Sequence, residues 1–147
     1  MSGVRSILCA VVISLSPVIP AIAQDVAPSG ESPKAPARSH LQNYKDMVLA
    51  TCVATAYRQN PQAAGDAGSS VSALRDWTEY DLDRAPDEIK QLVDRYLAKD
   101  YRNPLAEAES PGQRFDFLKC LDLYHSTELD TQAKKLVMHP KRKTQKR

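Results

Sequence analysis

Lys119-Cys120-Leu121-Asp122-Leu123-Tyr124-His125-Ser126-Thr127-Glu128-Leu129-Asp130 reads as the end of one helix and the beginning of another. Leu118, Leu121 and Tyr124 recur at helical spacing, with Cys120 beside them on the expected inner face. Thr127 followed by Asp130 has the spacing of a capping box, and Glu128 sets negative charge in a first helical turn. The same period governs the rest of the body. Tyr44, Met47, Val48, Thr51, Cys52 and Thr55 form a stripe after Asn43, a favoured N-cap residue, and Asn60-Pro61 closes that helix. Gln62 to Tyr80 is rich in Ala and Ser, with an inner stripe of Ala67, Val71, Leu74, Trp77 and Thr78. Pro86, Asp87 and Glu88 open a third helix with the cleanest amphipathic face, Ile89, Leu92, Val93, Tyr96 and Leu97. Tyr101 to Gln113, with Pro104 and Pro111, reads as a long loop. Arg114 to Tyr124 and Glu128 to Met138 supply the last two helices. No run alternates at period two, so the expected fold is all-α: a compact bundle of about five helices stapled by one disulfide.

The two ends of the chain bound the compartment. Residues 1–23 have the form of an export signal: Arg5, a short apolar run from Ile7 to Ile19, and the small-x-small site Ala21-Ile22-Ala23, with cleavage after Ala23. The run is broken by Ser14, Ser16, Pro17 and Pro20 and is too short for stable membrane insertion. Cleavage removes Cys9 and leaves Cys52 and Cys120 in an oxidising compartment, the periplasm, where a disulfide is favoured over two separate buried thiols. Residues 24–40 carry Pro28, Pro33 and Pro36 among small residues and read as a disordered linker; 41–138 form the helical domain. Residues 139–147 hold Lys141, Arg142, Lys143, Lys146 and Arg147 and read as a basic disordered tail.

Charge separates body from tail. The whole chain carries +2, yet His40 to Met138 contains 16 carboxylates against 12 Lys and Arg, a net of −4. An acidic body argues against nucleic acid and for a cationic partner. Catalytic chemistry finds no assembled set. His125 lies five residues after Cys120, off its helical face, and fits a helix-end role; His40 and His139 fall in the expected disordered ends. A disulfide consumes the nucleophile, the scattered histidines lack metal spacing, and Asp81, Asp83 and Asp87 lack the glycine of a calcium loop. Neither a catalytic residue, a metal nor a cofactor is expected.

The junction motif at 119–130 resembles the signature of the type VI secretion amidase immunity protein family. Asn43-Tyr44-Lys45-Asp46 through Cys52 to Tyr57, and the run Ile89, Leu92, Val93, Tyr96, Leu97, Ala98, Lys99, are similar as well. The resemblance implies a periplasmic inhibitor that binds and occludes a papain-like peptidoglycan amidase effector, acting as a homodimer and forming a heterotetramer with its target. It also implies a conserved disulfide, carried here by Cys52 and Cys120, and makes Asp122, Leu123, Tyr124 and His125 fold-defining. An occluding surface needs a protruding polar element. The 101–113 loop offers Tyr101, Asn103, Glu107, Glu109 and Ser110, with Asp87 and Asp94 of the third helix as neighbours. A different reading makes the chain an envelope-associated binding module that uses its basic C-terminal tail.

Overall fold

A computed structural model describes residues 31–101, 104–109 and 111–144. Ser39 starts the first helix, α1 (His40–Ala56), its hydroxyl accepting from Gln42 N at 3.2 Å. Tyr44, Met47, Val48 and Cys52 lie on the buried stripe, none more than 2% exposed. Asn60 caps α2 (Pro61–Asp76) with its side-chain oxygen on Ala63 N, and Pro61 occupies the first turn, where a missing N–H costs nothing. The short turn sends α2 back along α1. Its serines 69, 70 and 72 bond carbonyls four residues back, which occupies their hydroxyls within the helix, and only Ala67 and Leu74 of α2 are buried.

Helix α3 (Ala85–Leu97) has Asp87 and Glu88 at its positive end and buries Ile89, Leu92, Val93 and Tyr96. A six-residue helix, α4 (Pro104–Glu109), precedes α5 (Asp116–Tyr124) and α6 (Thr127–Leu136). The hydroxyl that caps α6 belongs to Ser126, accepting from Leu129 N at 3.1 Å; Thr127 is already the first helical residue. Helix α1 is the hub, packing on α2, α3, α5 and α6. The Cys52–Cys120 disulfide joins it to α5, Cα to Cα 5.6 Å, with both cysteines fully buried. The described residues form no β-strand, only two isolated bridges, so the all-α reading with one disulfide holds and α4 adds a sixth helix.

Two local expectations change. Asn43 is not an N-cap: it lies inside α1, fully buried, and its amide donates to Ala35 O and Trp77 O at 2.9 Å each while accepting from Arg38 Nε at 3.2 Å. It therefore ties the turn Ala35–Ala37 and the end of α2 to α1. On α5 the inner face is Lys119, Cys120 and Leu123, while Leu118 is 46% exposed. Residue 115 explains the rotation. Phe115 is left-handed (φ 54°) and starts α5 in a register that turns Lys119 inward, where its ammonium donates to Leu97 O and Asp116 Oδ1.

The ends of the described chain are paired through their backbones, while residues 138–144 stay exposed. His40 N donates to Arg142 O at 2.8 Å, Leu41 N to Pro140 O at 3.1 Å, and Ser39 bridges Lys143. His40, expected in a disordered end, is 2% exposed with Nδ1 3.4 Å from Met138 O. Glu79 accepts from His139 and Arg142; the bond from His139, with Arg142 adding attraction, holds its carboxyl below the usual range. The expected export signal, the linker before residue 31 and the final residues 145–147 lie outside the described residues.

Candidate functional site

The chain between α3 and α5 projects a small lobe. Pro104-Leu105-Ala106-Glu107-Ala108-Glu109 has proline in its first turn followed by strong helix formers, so a short helix forms where length and the two prolines had pointed to a loop. None of its residues is buried, and Leu105 is 79% exposed. Gly112, at φ 78°, makes the turn that a side chain would strain, and its N–H donates to Glu107 Oε1 at 3.1 Å.

At the near end of the lobe the Tyr101 hydroxyl donates to Asp122 Oδ2 at 2.6 Å. That bond, then partial desolvation and the negative charge of Asp122, push the phenol up to about 12. Tyr101 therefore keeps its proton at neutral pH and donates it in a hydrogen bond to Asp122. Lys119 Nζ stands 5.8 Å from the centre of the same ring while holding Leu97 O at 3.2 Å and Asp116 Oδ1 at 2.9 Å. Between the end of α3, the lobe and the start of α5 runs an open groove of about 720 Å³, with Tyr101, Glu107, Gly112, Arg114 and Lys119 among its walls.

The residues singled out from sequence divide into groups. Tyr101 and Glu107 come together at this groove, and Glu109 is exposed at the end of α4. Asn103 and Ser110 lie outside the described residues. Asp94 is exposed on α3, paired with Lys90 at 2.5 Å, and lines a separate groove of about 400 Å³ with Thr51, Val71 and Arg75. Asp87 is exposed in the first turn of α3. A rise of 1.5 Å per residue places it about 15 Å along the axis from Leu97, which lines the groove.

Sequence reasoning missed Lys119 and Asp122 as parts of this region. The Asp116–Lys119 pair at i, i+3 was the readable signal for the first. It also missed an apolar strip, Tyr57, Phe117 and Leu118, each more than a third exposed, beside the lobe. His125 is exposed and rests edge-on against Tyr124, with ring centres 5.1 Å apart; the sulfurs it would need as partners are bonded to each other. Among the described residues no cluster of His, Cys, Asp or Glu is arranged to hold a metal ion, and no helix is long and apolar enough to cross a membrane.

Residues 42–133 match the Tai4 family model, described as type VI secretion system (T6SS) amidase immunity protein. The chain belongs to that family. The matched span runs from the first turn of α1 into α6 and includes the lobe and both disulfide cysteines. Among solved structures, one similar chain comes from work on type VI-secreted toxins and self-resistance proteins of Serratia marcescens, at 24% identity, TM-score 0.68, covering 78% of this chain and 90% of that one. Another comes from the Tae4/Tai4 effector–immunity system of Salmonella typhimurium, at 22% identity, TM-score 0.61, covering 71% of this chain and 96% of that one. Both share its fold. No curated protein matches the chain. The paired ends, Ala35–Leu41 and Val137–Lys143, lie outside the span that the family model matches.

Proposed function

We propose that this immunity-family protein binds a type VI secreted peptidoglycan amidase of the papain-like class and covers its active-site groove, protecting the cell that makes it. The observation that carries the reading is the family match over residues 42–133, which takes in nearly all of the helical body. The site chemistry agrees with it. Both cysteines of the body are bonded to each other, so neither is a free nucleophile, which supports inhibition by shape and charge without catalysis by the chain. The lobe is exposed and carries carboxylates, Glu107 and Glu109, suited to a cationic rim or a catalytic imidazolium.

The contact surface that fits this role centres on the lobe, with Tyr101, Asn103, Glu107, Glu109 and Ser110, and extends to Asp94; Asp87 joins only if the interface runs the length of α3. A standard interface removes about 800 Å² per partner, more than a six-residue helix supplies, so the flanks of α3 and α5 contribute. The protein acts in the periplasm after removal of residues 1–23, a location that the disulfide suits. Its working form is a homodimer, and two amidases join it in a heterotetramer.

Periplasmic co-expression with the cognate amidase tests the proposal. Cells carrying both proteins grow, whereas the amidase alone lyses them. Lysis at equal rates with and without this protein would rule the function out for that pair.

A further inference from the structure

We infer that Tyr101 and Asp122 are a positioning pair that holds the α4 lobe in its binding orientation, and that the Tyr101 hydroxyl does not itself contact the amidase. The inference rests on the lobe being part of the amidase-binding surface, as proposed above. A six-residue helix is too short to persist by its own hydrogen bonds, and no residue of α4 is buried against the body. Polar ties at the two ends of the lobe therefore add to its order. After the helix, Glu107 accepts from Gly112 N at 3.1 Å. Before it, the Tyr101 hydroxyl donates to Asp122 Oδ2 at 2.6 Å, a short bond to a charged acceptor.

Asp122 makes this second tie structural. It lies on α5 two residues after Cys120, which is locked to Cys52 of α1. Lys119, 3% exposed and held by Leu97 O and Asp116, backs the Tyr101 ring from the same helix. A continuous path thus runs from the stapled core through α5 to the base of the lobe. A hydroxyl already committed to Asp122 gains nothing by turning to an amidase group of ordinary strength. Its effect on binding is to reduce the conformational freedom the lobe loses when it docks.

Hydrogen exchange on the intact oxidised protein tests the restraint first. Tyr101→Phe keeps the ring and removes the donor. Amides of 105–109 and 112–114 should exchange about tenfold faster, the size expected for one charge-assisted bond, while amides of α1 and α3 stay unchanged. Asp122→Ala should do the same, the double variant should add nothing further, and Asp122→Asn, which keeps an acceptor oxygen, should restore most of the protection. Unchanged exchange in Tyr101→Phe, or additive effects in the double variant, would overturn the pair. Affinity is then measured with an amidase already shown to bind the wild-type protein. Dissociation about five- to tenfold faster with little change in association supports the positioning role. Faster exchange with unaltered affinity overturns it by removing the lobe from the interface, and leaves the family function standing.

Discussion

In the body, Tyr44, Met47, Cys52, Cys120 and Leu123 are each at most 2% exposed, whereas in the α4 lobe no residue is buried and Leu105 is 79% exposed. The body is held by apolar burial around α1 and by a covalent bond across it. The lobe is tied by side-chain hydrogen bonds at its base and its end. Under the proposed function, the contrast separates what keeps the protein folded from what it presents to a partner. A rigid stapled body suits a long life in an oxidising compartment, and an exposed polar projection suits recognition. Variants can break this division from either side.

The largest effect should come from the staple. Replacing Cys52 and Cys120 together by Ala should cost about 4 kcal/mol, because the bond closes a loop with a sequence separation of 68. Urea unfolding measures it, and a loss below about 1 kcal/mol would show that helix packing alone holds the body. Next, Asn43→Leu should cost about 1–2 kcal/mol, since it removes both bonds donated by the buried amide and leaves Ala35 O with Arg38 N alone and Trp77 O with the longer bond from Thr144 Oγ1. Unchanged stability would show that these remaining bonds suffice.

On the lobe side, Glu109→Ala should alter unfolding by no more than about 0.5 kcal/mol while weakening amidase binding about two- to fivefold. Surface plasmon resonance with a bound amidase would read the second number, and equal affinity would remove Glu109 from the contact. Smallest in the body is Tyr44→Phe. Its hydroxyl is buried with no protein partner among the described residues, and burial, then Glu88 and Tyr80, push its titration upward. Removing that hydroxyl should change stability by less than about 1 kcal/mol.

Alkaline titration compares the two regions directly. The bond to Asp122 pushes the folded Tyr101 phenol up to about 12 from its ordinary 10.0. Its tie to Asp122 is thus fully present below about pH 10 and is lost as pH rises through 12. Tyrosinate absorbance should show one late-titrating phenol disappear in Tyr101→Phe; an unaltered curve would contradict the bond.

How much of this was readable from residues follows the same division. The stripes on α1 and α3 were legible because burial of one helical face repeats at a fixed period, and the cysteine pair was legible from the expected oxidising compartment. Asn43 was misplaced because an amide before an apolar run serves equally as a cap or as a buried bridge. Only the distant carbonyl of Trp77, 34 residues on, decides between them. Lys119 was missed because a lysine is expected in water; the left-handed Phe115 that turns it inward has no local signature. The lobe helix was obscured by Pro104 and Pro111, though Pro104 sits where helices accept proline. Pairing of Pro140 and Arg142 with the start of α1 depends on long-range backbone bonds that a run of basic residues does not announce.

Blockade of the amidase by a folded surface is the core of the proposed function. The direct measurement is hydrolysis of purified peptidoglycan by the cognate amidase as oxidised mature protein is titrated in. The expected result is loss of hydrolysis that is complete near one equivalent per amidase. Undiminished hydrolysis in the presence of several equivalents would contradict it.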